Sequence, residues 1–241
     1  MKKLALLGYG KMGKMIASLA EKEGLSVVYI NDGDHPFNRE KLKECDVAID
    51  FSVPTAAFEN VSNCIKEGIP VISGTTGWLD KLPIVRGMIN EHPDSAFMYG
   101  SNYSIGANIF FLINTQLAKL ASSQDYALEI TETHHTTKLD SPSGTAISLA
   151  NDIISQTNKD KWINEESDDP NTVPIISIRE TGVKGTHVVQ YKNEIDEITI
   201  EHRAFSREGF ALGALKAAKW LINKNGFYNV QEFIKDDLLK S

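Results

Sequence analysis

Cysteine is scarce in this sequence. Cys45 and Cys64 are the only two, and they show no CxxC or other metal-ligand spacing. That excludes a disulfide-stapled scaffold and a cysteine-based zinc site. Two scattered thiols fit a reducing compartment, with buried packing as their ordinary use. Long apolar runs are also missing, and no segment reaches the roughly 18 residues of a membrane span. The apolar run in the opening "MKKLALLGYGKMG" is about five residues, shorter than the roughly seven of a signal-peptide core. A cytoplasmic protein with no membrane partner is expected. There is no basic stripe either: 25 Lys and Arg stand against 32 Asp and Glu, for a formal charge of −7. A nucleic-acid partner is therefore not expected. No internal repeat or low-complexity tract is visible.

What is present is an ordinary globular composition, 41% apolar over 241 residues, enough for one or two domains with a real core. Residues 2–8 read as a buried strand and 11–23 as a helix with Met12, Met15, Ile16 and Leu19 on one face. Strands at 25–30, 46–52, 70–74 and 95–100 alternate with helices at 54–67 and 82–91. That alternation predicts βαβ units and a parallel sheet. The pattern changes near residue 104. A helix at 105–122, an alternating strand "YALEITETHH" and a helix at 144–155 are followed by a polar loop at 156–174. Three strands, "PIISIRET", "THVVQYKN" and "EIDEITIEHRA", then read as an antiparallel meander. A last helix spans 207–224. The predicted class is α/β, with a Rossmann-type parallel sheet first and a second α+β domain carrying a mainly antiparallel sheet.

The sequence "LLGYGKMG" sets Gly8, Gly10 and Gly13 as G-x-G-x-x-G between a strand and a helix. Gly8 permits a tight turn, Gly10 lets the backbone approach a pyrophosphate, and Gly13 lets helix and strand pack closely. The helix N-terminus offers free N–H groups to the anion. A glycine-rich structural turn is the alternative. The second strand ends at "YINDGD", where Asp32 would bond ribose hydroxyls and repel a 2′-phosphate, tilting the choice toward NAD. Asp32 as a turn-former before Gly33 is the plain alternative. The loops "SGTTGW" and "GSNYSIGAN" follow strands at their carboxyl ends, where ligands of open α/β sheets bind.

A second motif, "THHTTKLDSPSGTA" (133–146), gathers His134, His135 and Lys138 before a Pro-Ser-Gly-Thr turn. Adjacent strand residues point to opposite faces, so His134 and His135 would not easily share a metal, and no metal site is expected. Ser141 can cap, Pro142 suits a first turn, and Ser143, Gly144 and Thr145 open a helix. This is an anion site for a carboxylate or phosphate, with simple helix capping as the alternative. A nucleotide domain followed by His, Lys and an anion site suggests hydride transfer with a matching proton moved by the protein.

Together these motifs resemble the 4-hydroxy-tetrahydrodipicolinate reductase (dihydrodipicolinate reductase) family of bacterial lysine and diaminopimelate synthesis. "GYGKMG", "DFSVP", "GTTG", "SNYSIGAN", "ETHHTTKLDSPSGTA", "RETGVKGTH" and "EHRAFSREGFALGALKAAKW" occur in the family's order. The resemblance implies reduction of a cyclic dicarboxylic imine by NADH or NADPH. It makes His134 a proton donor or acceptor and Lys138 the proton donor, with His135, Ser143, Gly144 and Thr145 on substrate. It places Gly8, Tyr9, Gly10, Lys11, Met12, Gly13, Asp32, Gly74, Thr75, Thr76, Gly100, Ser101, Asn102, Tyr103, Arg207 and Phe210 on the cofactor side. It also implies a homotetramer, a nucleotide domain of residues 1–103 completed by 207–241, and a substrate and tetramerisation domain of 104–206. The chain is shorter than many members between residues 33 and 46, and Asn31-Asp32 stands where the family often has an acidic-basic pair. A related oxidoreductase on another imine or oxo-acid, or a non-catalytic NAD-sensing module, are the competing readings. A sensor leaves the grouping of His134, Lys138 and the PSGT turn unexplained.

Overall fold

The computed structural model describes every residue except Asp34, Pro36 and 239–241. The last three, the end of the predicted C-terminal segment, lie outside the described residues. The chain divides into two compact units, residues 1–108 with 208–241, and residues 109–207.

The first unit alternates β1 (Lys2–Leu7), α1 (Lys11–Ala20), β2 (Leu25–Asn31), α2 (Arg39–Lys43), β3 (Val47–Asp50), α3 (Pro54–Lys66), β4 (Val71–Ser73), α4 (Leu82–Glu91) and β5 (Ala96–Tyr99). After the second unit the chain returns to it as α7 (Glu208–Leu221), β11 (Gly226–Asn229) and α8 (Val230–Leu238). The six strands pair in the order β11-β5-β4-β3-β1-β2, all parallel. β3 and β4 are buried along their whole length, as expected of parallel strands covered on both faces. The core includes Leu7, Val61, Ile65, Val71, Trp78 and Phe97, each contributing about 1.5–3 kcal/mol of apolar burial. Cys45 and Cys64 are free and buried. Burial pushes both thiols up, Cys45 to about 11, so packing is their role, as read from the sequence.

β11 lies outside the sequence expectation. Its four residues are too short to show a period, yet Phe227 packs edge-on against Phe97 at 5.1 Å and carries Arg86 over its ring.

The second unit holds most of α5 (Ile105–Ala121), then β6 (Ala127–His134), α6 (Gly144–Gln156), β7 (Lys161–Ile163), β8 (Thr172–Arg179), β9 (Thr186–Lys192) and β10 (Glu197–Arg203). Its sheet runs β10-β9-β6-β8-β7. The three last strands are therefore not a meander. β6 lies between β8 and β9, parallel to the first and antiparallel to the second, and β7 pairs parallel with β8. The sheet is mixed. The predicted loop at 156–174 contains β7 and the start of β8. Alternation shows which residues share a face but not which strands pair, and "GVKG" reads as a hairpin whether or not a strand slips between its arms. The core is made by Ile130, Leu149, Ile153, Val173, Val189 and Tyr191.

Candidate active site

The glycine loop of the first unit is shaped by what it lacks. Gly8 has φ +96°, where an L side chain is strained, and a Cβ there would overlap the Phe51 carbonyl. A Cβ on Gly13 would overlap the Gly8 carbonyl, so α1 could not pack this close to the turn. Gly10 is the N-cap of α1, with no side-chain cap and open space where a Cβ would stand. No acidic residue occupies the first turn, and Lys11 is exposed. The free N–H groups and positive helix end face an open position that suits a phosphate.

Beneath this loop lies a buried carboxylate that sequence reasoning missed. Asp50, at the end of β3, is 0% exposed. It accepts from Ser52 Oγ (2.6 Å), Ser73 Oγ (2.7 Å), Thr75 Oγ1 (2.8 Å) and Asn60 Nδ2 (3.0 Å). Burial raises its pKa and the four bonds oppose the rise. Asp50 thus ties the loops after β3 and β4 together. The available signal was an acid inside the apolar run "DVAIDFS".

Several predicted cofactor residues have structural duties. Thr75 Oγ1 serves Asp50 and the Ser52 amide (2.9 Å). Tyr103 is 1% exposed, and its hydroxyl donates to the carbonyls of Ser73 (3.1 Å) and Met98 (3.3 Å). Its side chain is a strut in the core. Gly74 has no Cβ to collide with the Phe51 ring, and Gly100 none to collide with Val230. Asn102 Oδ1 accepts from the Ser104 amide (2.9 Å). Tyr9 and Met12 are partly buried, while Thr76, Ser101 and Arg207 are exposed. Phe210 is partly buried in the first turn of α7. Asp32 follows β2 and accepts from the His35 amide (2.8 Å), with His35 Nδ1 at 2.9 Å. The turn-forming role is thus real, and His35 adds a second titratable group beside it.

The second unit assembles its cluster at the carboxyl end of β6. Alternation buries Glu132 and His134 on one face. A Glu132 oxygen bonds His134 Nδ1, and the other accepts from Arg179 Nη1 (3.0 Å), on the neighbouring β8. Arg179 Nη2 also donates to the Asp140 carbonyl (2.7 Å), and the Asp140 carboxylate grips Lys138 Nζ at 2.7 and 2.8 Å. Burial pushes the Glu132 carboxyl up, but hydrogen bonds, led by that of His134, overcome it and hold it at about 2. Lys138 and other contacts lower Asp140. On β9, His187 stacks edge-on against His134 at 5.1 Å between centroids. Burial, then the electrostatic influence of the adjacent His134, holds His187 down at about 3. It is a neutral ring at ordinary pH.

The helix cap differs from expectation. Ser143, not Ser141, caps α6, accepting from the Ala146 amide (3.2 Å), and its hydroxyl also meets His187 Nε2 (3.0 Å). At 2% exposure it is a buried cap. Ser141 Oγ accepts from Asn164 instead (2.9 Å). Gly144 is exposed and Thr145 partly buried, leaving that helix start accessible. His135 points away from the buried face, its Nδ1 at 2.8 Å from Thr137 Oγ1. His134, Lys138 and the α6 cap are thus linked through Glu132, Arg179, Asp140 and His187, none of which the sequence reading singled out. The period of β6 could have found Glu132, two residues before His134 on the same face. The atoms of Glu132, His134 and His187 lie within 4.8 Å of one another, but both Glu132 oxygens are engaged and Arg179 places a positive charge beside them.

Comparison with known proteins bears on both units. The family description "Dihydrodipicolinate reductase, N-terminus" matches residues 2–84, and "Dihydrodipicolinate reductase, C-terminus" matches 106–234. A 4-hydroxy-tetrahydrodipicolinate reductase of Christiangramia forsetii is 47% identical over 235 residues, covering 97% of this chain and 98% of that one. One from Thermosipho africanus is 37% identical, covering 94% of each. The dipicolinate-bound dihydrodipicolinate reductase of Paenisporosarcina sp. TG-14 shares the fold, with a TM-score of 0.80 at 24% identity over 96% of this chain and 99% of that one. The chain belongs to the dihydrodipicolinate reductase family.

Proposed function

We propose that the protein reduces 4-hydroxy-tetrahydrodipicolinate to tetrahydrodipicolinate in diaminopimelate and lysine synthesis, with loss of the 4-hydroxyl as water. Family membership supports the reaction, and the cluster around His134 supports the assignment of its parts. The observation that carries the reading is the linkage of His134 to the start of α6 through His187 and Ser143. It joins a proton-transfer group to an anion site.

The glycine loop fits a dinucleotide: Gly10 leaves the α1 N-terminus open, and added Cβ atoms at Gly8 and Gly13 would close the turn on itself. When bound, reduced nicotinamide would supply hydride to the ring carbon that gives up the 4-hydroxyl. Gly8, Tyr9, Gly10, Lys11, Met12 and Gly13 hold its phosphates. The loops at Gly74, Thr75 and Thr76 and at Gly100, Ser101 and Asn102, with Arg207 and Phe210, border it. His135, Gly144 and Thr145 bind a substrate carboxylate. His134 and Lys138 would supply the proton that balances the hydride as the hydroxyl leaves as water. Asp32 favours ribose hydroxyls, so NADH serves at least as well as NADPH. An NADPH preference above about a hundredfold contradicts that, since one unfavourable charge contact is worth about tenfold.

Residues 1–103 with 207–241 are the nucleotide domain and residues 104–206 the substrate and tetramerisation domain, bounds that lie within a few residues of the two compact units. Exposure of the apolar side chains Ile178, Ile198 and Phe205 and the place of β10 at the edge of its sheet support a homotetramer formed through the second sheet. Among the described residues no helix is long and apolar enough to cross a membrane, consistent with a cytoplasmic site of action.

The test is isotopic. With deuterium on the transferring position of NADH and freshly prepared imine, the label is expected in tetrahydrodipicolinate. Product without label, or no product, rejects the reading.

A further inference from the structure

The strongest feature outside the assigned residues is the carboxylate behind His134. Glu132 is 0% exposed. A buried acid is costly unless it is paired and hydrogen-bonded, and here the pairing is specific. One oxygen meets His134 Nδ1 and the other meets the Arg179 guanidinium. A carboxylate can only accept, so the imidazole must present N–H at Nδ1. That leaves Nε2 as the atom that exchanges a proton. Nε2 faces Gly185, where a Cβ would stand 3.0 Å away, so the glycine keeps that side of the ring uncovered. The backbone reinforces the ring's position, since the Glu180 amide donates to the His134 carbonyl (2.8 Å).

We propose that Glu132, clamped by Arg179, is a positioning residue that fixes the tautomer and orientation of His134 so that Nε2 carries the transferred proton across Gly185. The proposal rests on the reading of His134 as the proton-transfer group. Its logic is the general one in which a carboxylate orients a histidine and stabilises its cation. Arg179 has a second effect: it binds Glu132 through Nη1 and the Asp140 carbonyl through Nη2. One guanidinium thereby sets the spacing between His134 and the turn that carries Lys138. The charged or titratable groups beside His134 are Glu132 on its own strand, Arg179 opposite it on β8 and His187 on β9, and His187 in turn feels Lys138 and His202.

The test combines histidine NMR with kinetics. In the wild type, long-range nitrogen–proton couplings should show neutral His134 with its hydrogen on Nδ1. In Glu132→Gln, which keeps shape and loses charge, His134 should release its proton at a pH lower by about one unit. Turnover should fall at least about tenfold with NADH affinity unchanged, and the alkaline limb of kcat should move the same way. Glu132→Asp, which restores the charge, should recover part of the titration shift. Gly185→Ala should lower turnover and leave the titration in place. Hydrogen on Nε2 in the wild type overturns the proposal, as does a Glu132→Gln protein with unaltered titration and turnover. If Glu132→Gln does not fold, the wild-type tautomer decides alone. The NMR arm needs no substrate, so a wild type inactive on the imine counts against the proposed reaction and not against the coupling of Glu132 to His134.

Discussion

The two candidate regions are made from different material. In the first unit the candidate ligand surface is backbone: Gly8 at positive φ, Gly10 as an uncapped helix start, and Gly13 where α1 meets the turn. In the second it is side chain: His134 and Lys138, held by Glu132, Arg179 and Asp140. A backbone site fails when atoms are added, and a side-chain site fails when they are removed. The same contrast should separate the effects on binding from the effects on chemistry.

The largest expected effect is in the side-chain region. His134→Ala and Lys138→Ala should each lower turnover by about 10²–10⁴, the usual worth of a positioned proton donor. NADH affinity, read by fluorescence titration, should stay near wild type. Near-normal turnover of His134→Ala at saturating substrate would break the comparison.

The mirror experiment adds an atom. Gly8→Ala forces an L residue to positive φ against the Phe51 carbonyl, a strain on the order of 1–3 kcal/mol. Weaker NADH binding and a lower Tm are expected, with the proton-transfer step intact at saturating cofactor. Unchanged NADH affinity would show that the loop is a structural turn only.

Thr145→Val sharpens the picture on a smaller scale. Loss of one hydroxyl at the start of α6 should raise KM by about tenfold, the worth of a hydrogen bond to a charged group, with a lesser effect on kcat. A loss confined to kcat would move Thr145 from binding to chemistry.

These contrasts also explain what could be read in advance. The parallel sheet and the glycine turn were legible because each rests on local pattern: strand after helix, and glycines at fixed spacing. His134 and Lys138 stood out as residue types beside a turn that opens a helix. Their supports were not. Arg179 lies 47 positions from Glu132 and meets it only because β8 pairs with β6, a pairing that alternation leaves open. The same ambiguity produced the meander that the structure corrects. The structural duties of the Ser143 and Tyr103 hydroxyls, a cap on α6 and bonds to the Ser73 and Met98 carbonyls, were hidden for a related reason, since they depend on partners that only the fold supplies.

A last expected effect concerns stability and not activity. Burial lowers His187 from its ordinary value of 6.5 to about 3. Between those values the unfolded chain binds the extra proton, so His187 contributes stability above about pH 6.5 that is lost as pH falls toward 3. His187→Gln should flatten the dependence of unfolding free energy on pH across that window, measured by denaturant titration. An unchanged slope would show that His187 takes up its proton without cost in the folded state.

The most direct test of the whole account is the rate at which wild-type protein consumes reduced nicotinamide when freshly prepared cyclic imine is added. The account predicts consumption that depends on the imine, with NADH at least as effective as NADPH. Saturable NADH binding with no imine-dependent consumption would contradict it.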